Sequence, residues 1–174
     1  MGFKEQNCNI KIEPKYMGST ITKKIDKIIA VMKQNNGTNE TYYPTKSRKR
    51  VGRDMLYIFD NSPNCKSKGF IRFRDKKTDK VGMYNSKGEI VIPAEYNDFT
   101  RVRNGLVIAL KDAKKYFWDK DEHSGCNHFS WEGVKEHLIY SNNQIIVQNF
   151  KYNWNLDFFS LKIEPEPIQG TNRL

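Results

Sequence analysis

The chain has 174 residues and a mass of 20.5 kDa, which suits one domain with an added segment and is too short for two full-sized globular units. No apolar run approaches the roughly 20 residues of a membrane-spanning helix, and the first 15 residues lack the apolar segment of a secretory signal. The 3 cysteines are widely spaced, which argues against a disulfide framework. We therefore expect a soluble protein in the cytoplasm.

Positive charge is concentrated in the N-terminal part of the chain. Residues 1–68 contain 14 Lys and Arg against 6 Asp and Glu, a net +8, whereas residues 69–174 contain 16 against 14, a net +2. The densest group of cations follows Tyr42 and Tyr43 and consists of Lys46, Arg48, Lys49, Arg50 and Arg53. Such a segment can neutralise phosphates and stack on bases, so nucleic-acid binding through residues 42–53 is one hypothesis. A solvated linker is the favoured alternative, since inert segments often carry short basic runs.

An amphipathic helix is predicted before this basic segment. Ser19 or Thr20 can cap its beginning, and Gly37 lies where a C-terminal cap is expected. Residues 35–53 are interpreted as a linker or long loop, which favours a domain boundary near residue 54. The apolar residues that recur at helical spacing are Ile21, Ile25, Ile28, Ile29 and Met32.

From residue 55 onward the pattern changes to short strands separated by turns. Its clearest signal is a hairpin in which residues 81–84 and 89–92 flank a turn. Gly88 suits a positive φ in that turn, and Pro93 is expected to end the second strand because it cannot donate a backbone hydrogen bond. Further strands are predicted over residues 55–59, 69–73 and 106–110.

The hairpin pattern returns 55 residues later. Residues 142–147 align with residues 87–92, and Asn143 takes the place of Gly88. Asparagine is the next most tolerant residue at a positive φ. A single hairpin cannot bury its apolar face, so the repetition implies that the two copies stack on each other.

Three segments within residues 69–115 resemble one WG repeat: Val81–Asn85, Lys87–Asp98 and Asn104–Leu110. Residues 135–161 resemble a second, degenerate repeat. That family's unit has an aromatic residue before a glycine, a Lys-Gly turn, an Ile-Pro-x-x-Tyr segment and a Gly-Leu-Ala-Val strand. Val81 stands where the family has Trp or Tyr. The resemblance implies a bacterial origin, a β-hairpin repeat architecture, and binding or scaffolding more readily than catalysis.

The predicted fold is mainly β, an antiparallel hairpin-repeat sheet domain with one N-terminal amphipathic helix. Residues 1–53 are expected to hold the helix and the basic segment, residues 54–163 the repeat domain, and residues 164–174 a tail.

A polar segment between Trp118 and Gly133 holds the candidate metal ligands. Thiolate and imidazole are suitable zinc ligands, but the spacing here is not one of the paired arrangements of zinc sites. A polar loop in which Trp118, Phe129 and Trp131 pack under the sheet is the favoured alternative. The candidate ligands are His123, Cys126 and His128, with Asp121 or Glu122 as a fourth.

Cys126 is also a candidate nucleophile, because a nearby histidine can activate a thiol. Its possible partners are His123, His128 and the more distant His137. Nothing in the sequence around Cys126 indicates such activation. The glycines form no phosphate-binding pattern, so no nucleotide cofactor is expected.

Four arginines could form a cationic stripe for an anionic ligand if both of their segments are strands. Arg72 and Arg74 would lie on one strand face, and Arg101 and Arg103 on another. Cross-strand pairing with Asp75, Asp79, Glu95 or Asp98 is the favoured alternative.

The sequence thus favours a non-enzymatic binding or interaction module, without a cofactor, that uses repeat surfaces and exposed aromatic residues to bind a protein partner. The second hypothesis is a nucleic-acid or polyanion binder that acts through Lys46, Arg48, Lys49 and Arg50. The third is a small metal- or cysteine-dependent hydrolase.

Overall fold

The computed structural model describes residues 3–4, 10–12, 15–19, 27–59, 62–64, 66–117 and 129–149. Within these ranges the chain forms strands and turns and no helix, and therefore no helix long and apolar enough to cross a membrane. The strands are β1 (Phe3–Lys4), β2 (Ile10–Ile12), β3 (Gly18–Ser19), β4 (Val31–Asn35), β5 (Thr38–Pro44), β6 (Arg50–Val51), β7 (Ile58–Phe59), β8 (Ser62–Pro63), β9 (Ile71–Asp75), β10 (Lys80–Tyr84), β11 (Ile90–Tyr96), β12 (Asp98–Phe99), β13 (Leu106–Lys111), β14 (Lys114–Phe117), β15 (Phe129–Glu132), β16 (Lys135–Tyr140) and β17 (Ile145–Val147).

Three antiparallel sheets in the described chain share one strand order, and we call them layers 1, 2 and 3. Layer 1 has the order β3, β4, β5, β6; layer 2 has β9, β10, β11; layer 3 has β12, β13, β16, β17. In layer 2, a single bridge between Leu56 and Phe73 occupies the place of the edge strands β3 and β12. The described residues therefore contain three copies of one sheet, whereas the sequence predicts two.

In each layer, the last two strands are joined by a turn of the same type: β5 to β6, β10 to β11 and β16 to β17. In layer 2 the N–H of Asn85 donates to the carbonyl of Glu89 at 2.9 Å, and the N–H of Gly88 donates to the carbonyl of Asn85 at 3.0 Å. The equivalent hydrogen bonds close the turns at residues 45–49 and 140–144. The fourth turn position has a positive φ in all three, namely 66° at Arg48, 75° at Gly88 and 72° at Asn143.

Layer 3 contains an insertion. A two-residue turn with a positive φ at both positions precedes β9 at residues 68–69, and an equivalent turn precedes β13 at residues 104–105. These two turns are 36 residues apart. The hairpin turns of layers 2 and 3 are 55 residues apart, so layer 3 has 19 extra residues, 55 minus 36. These extra residues follow β13, where Lys111 pairs with Lys135. Strands β14 and β15 are the described part of the insertion.

Layer 2 is covered on both faces. Its Ile71, Phe73 and Tyr84 form one apolar cluster with residues of layer 1 and the segment before it, among them Tyr43. The opposite face buries Val81, Met83 and Ile92 against Val107, Ala109 and Ile139 of layer 3. Because residues alternate between the faces of a strand, β10 contributes Tyr84 to the first cluster and Val81 and Met83 to the second. The layers thus stack in chain order, each completing the core of the next.

The predicted N-terminal helix is wrong for the described part of its range. Val31–Asn35 is strand β4 and pairs with β5, and Ser19 lies in β3, while Ile21 and Ile25 fall outside the described residues. Four successive residues, Ile28, Ile29, Ala30 and Val31, are at most 4% exposed. They alternate between the cluster facing layer 2 and a second cluster around Tyr42. A run buried on both faces fits helical spacing as well as strand spacing, so periodicity alone could not distinguish the two.

The interpretation of residues 35–53 as a linker or long loop is also wrong. They contain β5, β6 and the turn of layer 1. Tyr43 is completely buried, and its hydroxyl lies 3.1 Å from the Met55 carbonyl oxygen and 3.0 Å from that of Arg72, so a residue before the proposed boundary contacts two residues after it. The division at residue 54 stays a prediction, and the 164–174 tail lies outside the described residues.

The two predicted hairpins are confirmed as β10–β11 and β16–β17. Strand β11 nevertheless continues through Pro93 to Tyr96, contrary to the prediction that the strand ends there. The register between β10 and β11 shifts on both sides of Met83, and Pro93 is exposed. Such an irregular pairing leaves room for a residue that lacks a backbone N–H.

Candidate functional site

Arg72 lies in the interior between layers 2 and 3. Its side chain is 8% exposed. Nη1 donates to the Phe99 carbonyl at 2.6 Å and lies 3.6 Å from a carboxylate oxygen of Asp98, while Nε donates to Asn64 at 3.3 Å. The guanidinium also lies 4.4 Å from the centroid of the Tyr57 ring. A charge with this many partners is held in place by the fold.

Arg74 joins the same group from the partly buried end of β9. It forms an ion pair with Asp79 at 3.0 Å, lies 3.9 Å from Asp98, and sits over the Tyr57 ring at 5.3 Å. The Tyr57 hydroxyl donates to Asp98 at 2.9 Å, and burial followed by the Asp98 charge raises the pKa of Tyr57. We call Tyr57, Arg72, Arg74 and Asp98 the buried arginine cluster. The Asp98 carboxylate pairs with both arginines, so the cluster connects β9 with β12.

Arg101 and Arg103 do not continue that cluster as a stripe. Both are exposed, and residues 101–103 lie between β12 and β13. The premise that this segment is a strand is therefore wrong, although Arg103 pairs with Leu106 in a single bridge. Arg101 and Arg72 line the same small cleft. Ligand binding by the four arginines stays a prediction.

The predicted basic group forms the turn of layer 1. Lys46, Arg48, Lys49 and Arg50 are all exposed, and the Arg50 guanidinium lies 5.0 Å from the Tyr42 ring centroid. Arg53, also exposed, pairs with Glu40 at 3.1 Å. The neighbouring turn of layer 2 packs against this one, since Gly88 approaches Thr45 and Val51, and it adds the exposed Lys87.

The predicted metal ligands and the candidate nucleophile lie outside the described residues. His123, Cys126 and His128 therefore remain untested, as do Asp121 and Glu122. In the described ranges, no group of three or more His, Cys, Asp or Glu side chains is placed to hold a metal ion. His137 is described and is buried in β16.

The insertion in layer 3 carries a two-stranded aromatic hairpin, which we call the inserted hairpin (residues 114–117 and 129–132). Phe117 is paired with Phe129, and their ring centroids are 5.8 Å apart. Trp131 meets Phe129 edge to face at 5.2 Å. Tyr116 and Phe117 are 50% and 48% exposed, and among the described strands β14 and β15 pair only with each other. The hairpin therefore presents aromatic surface, and its strand edges have no partner strand among the described residues.

One ion pair joins the inserted hairpin to layer 2. The Lys115 ammonium lies 2.7 Å from Asp79, and also 4.9 Å from the Phe129 ring and 5.7 Å from the Trp131 ring. Partial burial works to raise the pKa of Asp79, but the hydrogen bond from Lys115 and the charge of Arg74 outweigh it and lower that pKa. Asp79 therefore stays ionised at neutral pH and holds the hairpin beside the β9–β10 turn.

The surroundings of the inserted hairpin are rich in lysine. Lys114 is exposed on β14, and Lys76 and Lys77 are exposed on the adjoining β9–β10 turn. Of the neighbouring carboxylates, Asp79 is already paired, while Glu132 lies opposite Lys114. Among the described residues, the exposed cations near the aromatic surface are therefore Lys76, Lys77 and Lys114.

This hairpin was not predicted from the sequence. The segment was interpreted as a polar loop with Phe129 and Trp131 packed under the sheet, whereas both residues lie on strand β15 and are only half-buried. Strand β14 has the sequence Lys-Lys-Tyr-Phe, so each of its faces carries one lysine and one aromatic residue. Such a short segment gives only a weak strand signal. A comparison of the 36-residue and 55-residue spacings would have revealed the insertion.

Comparisons with known proteins agree with this architecture. No curated protein and no solved structure matches the chain. The family described as the WG containing repeat matches residues 82–116, which run from β10 of layer 2 through β13 and into the inserted hairpin. This is the region where the sequence resembles one WG repeat. Residues 82–116 of this mainly β chain are a WG containing repeat.

Proposed function

We propose that the chain is a non-enzymatic binding module that recognises a protein partner through the inserted hairpin. The observation that carries this proposal is the exposure of Tyr116 and Phe117 on a segment that the other two layers lack. The arginines of β9 offer little for recognition, because Arg72 and Arg74 are paired with Asp98 and Asp79.

The energetics of the hairpin favour a protein as its ligand. An aromatic side chain has roughly 150–250 Å² to bury, and about half of Tyr116 and Phe117 is still accessible. Covering about 100 Å² more on each ring would contribute about 2.5 kcal/mol per residue at 25 cal/mol per Å². Contributions of this size are typical of the aromatic residues that dominate protein interfaces.

The charges around the hairpin define the chemistry of the partner. Exposed Lys114 lies on the same strand as the aromatic residues, and exposed Lys76 and Lys77 lie on the β9–β10 turn that Lys115 contacts through Asp79. A partner that presents apolar side chains framed by Asp or Glu would complement this border and associate faster at low salt. The outer edges of β14 and β15, which have no partner strand among the described residues, offer backbone groups to an extended segment of that partner.

Photocrosslinking in the native host tests the proposal. With p-benzoylphenylalanine at Phe117, we expect one discrete heterologous adduct, because the side chain would lie in the interface. The same probe at Ile90, exposed on β11 of layer 2, should not give that adduct.

The crosslinked protein is then purified and its affinity measured directly. The double variant Tyr116→Ser, Phe117→Ser should bind it at least tenfold more weakly than the wild type, with an unchanged unfolding temperature. Adducts with this chain alone, or equal binding by the variant, would contradict the proposal.

The exposed turn of layer 1 supports a second candidate function, polyanion binding. Lys46, Arg48, Lys49 and Arg50 project from one turn, and Lys87 of the adjoining turn extends the group. Cations grouped in this way neutralise several phosphates and release their counterions.

Fluorescence anisotropy with a single-stranded DNA probe at several salt concentrations tests this candidate. Changing the four cations of the turn to glutamine should reduce the slope of log affinity against log salt by about 2 to 3, at roughly 0.7 per phosphate contact. As a control, the variant Lys76→Gln, Lys77→Gln, Lys114→Gln, which changes three lysines outside the turn, should keep the wild-type slope.

Deletion of residues 1–53 is unsuitable as a test, because it would remove layer 1 and uncover Ile71 and Phe73. An equal slope in both variants would reject the turn as a polyanion site.

We further propose that the protein has no catalytic activity and that it acts in the cytoplasm.

A further inference from the structure

A cleft at one end of layer 3 has the features of a ligand site and lies apart from the inserted hairpin's aromatic residues. Its volume is about 260 Å³, and it lies where the end of β13, the beginning of β16 and the residues after β17 meet. Its polar lining includes Lys111, Lys135, His137, Gln148 and Asn149. The volume is somewhat below the roughly 300–1,000 Å³ of sites for drug-sized molecules, which suits a small polar metabolite.

His137 is the unusual residue of this cleft. It pairs with Ala109 in the sheet and lies on the same strand face as Ile139, which packs against layer 2. His137 is therefore only 8% exposed. Neither ring nitrogen has a hydrogen-bond partner among the described residues. Most buried polar side chains in folded proteins have such a partner, and an imidazole has two nitrogens to satisfy. An incoming ligand could supply the missing partner.

The charges that face His137 favour an anion. Lys111, at the end of β13, lies opposite Lys135, at the beginning of β16. Lys135 donates a hydrogen bond to Asp112 at 2.9 Å, whereas the Lys111 ammonium lies 5.9 Å from the centroid of the Tyr96 ring. Tyr96, the remaining titratable group of the lining, is neutral, because burial, followed by the Glu95 charge, raises its pKa to about 12. Desolvation and the Lys111 charge lower the pKa of His137, so the ring is neutral at pH 7 and offers one N–H donor.

We propose that this cleft binds a small molecule through an oxyanion group, a phosphate or a carboxylate, held by the Lys111 ammonium and the His137 ring. Lys111 and the ring supply donors to the cleft, and Lys135, Gln148 and Asn149 belong to the same lining. The volume left beyond the oxyanion accommodates a small organic part. This activity is independent of the proposed protein partner.

Histidine NMR tests the proposal on the full chain. The chain has 3 histidines, and the resonance that remains in the variant His123→Gln, His128→Gln belongs to His137. Titration with inorganic phosphate, and separately with acetate, at constant ionic strength should shift the His137 ring signal in a saturable manner. The pKa of His137 should rise by about one unit in the bound state, since an adjacent anion favours the imidazolium form. Saturation by only one anion identifies the oxyanion and still supports the site.

Two variants separate specific binding from general charge effects. Lys111→Gln should weaken the affinity at least tenfold, whereas Lys114→Gln, an exposed lysine of the inserted hairpin, should leave it unchanged. The wild-type fold is checked in both variants by the dispersed spectrum. Equal shifts at all three histidines, no saturation with either anion, or equal affinity in both variants would overturn the proposal.

Discussion

Replacing Gly82 with alanine should lower the free energy of unfolding by about 3 kcal/mol, at the upper end of the usual cost of overpacking a core. A Cβ atom at this position would overlap the Phe73 ring and approach the Ile92 carbonyl oxygen to 2.8 Å. The ring cannot move freely, since it is stacked on Tyr84 with centroids 4.2 Å apart. Chemical denaturation monitored by fluorescence measures the loss.

Two companion variants identify the cause of this loss. Gly105→Ala meets no atom within 4 Å and should cost only about 1 kcal/mol, from its φ of 77°. In a Phe73→Leu background, which removes the blocking ring atoms, Gly82→Ala should cost at least 1 kcal/mol less than in the wild type. An equal cost in both backgrounds would show that the clash with Phe73 is not the reason for this glycine.

Replacing Asp98 with alanine should lower the free energy of unfolding by about 3 kcal/mol, because it leaves Arg72 buried beside an empty carboxylate position. The same change removes the acceptor of the Tyr57 hydroxyl. Thermal and denaturant unfolding at neutral pH measure the effect. The exposed pair of Asp112 with Lys135 provides the control, and Asp112→Ala should be close to the wild type.

A double-mutant cycle distinguishes a buried charge from lost packing. Arg72→Met in the Asp98→Ala background should cost at least 1.5 kcal/mol less than Arg72→Met alone, since the second change removes an uncompensated charge. Additive losses would mean that the two side chains do not depend on each other. The buried arginine cluster would then not be a unit of the fold.

The central repeat could be predicted from the sequence because its signals are local. The turn at residues 85–89 and the strands on either side of it depend on neighbours a few residues away, so alternation and Gly88 were enough to find the hairpin. The second hairpin was found by the same pattern, with Asn143 in place of glycine. In the structure, Asn143 also accepts a hydrogen bond from the Tyr96 hydroxyl and donates to Glu95, which joins layer 3 to layer 2.

Layer 1 was not predicted, because its local signals are weaker or ambiguous. Arg48 occupies the positive φ position where the other copies have glycine or asparagine, so the turn resembles a basic linker in sequence. Residues 28–31 are apolar without interruption and are buried on both faces. These basic residues are exposed because the turn lies at the end of a hairpin. The charge pattern by itself does not distinguish such a turn from a linker.

The candidate sites also combine features that local sequence signals predict with features that depend on contacts between distant segments. Alternation placed Arg72 and Arg74 on one strand face, but whether that face meets solvent or another layer depends on contacts between distant segments. The cleft around His137 and the border of the inserted hairpin likewise join residues from several strands. From the sequence, His137 was a candidate only as a distant partner of Cys126.

The sequence by itself determined that the chain is mainly β, that its central part is a WG containing repeat, and where two of its hairpins turn, because strand alternation and turn geometry are short-range properties. The tertiary structure alone decided that the sheet occurs three times within the described residues and that Arg72 is buried and paired. It also decided that two aromatic residues are exposed on the inserted hairpin, and that the His137 imidazole lines a cleft without a hydrogen-bond partner among the described residues. Burial is a property of how the layers stack, and stacking depends on contacts between residues far apart in the chain.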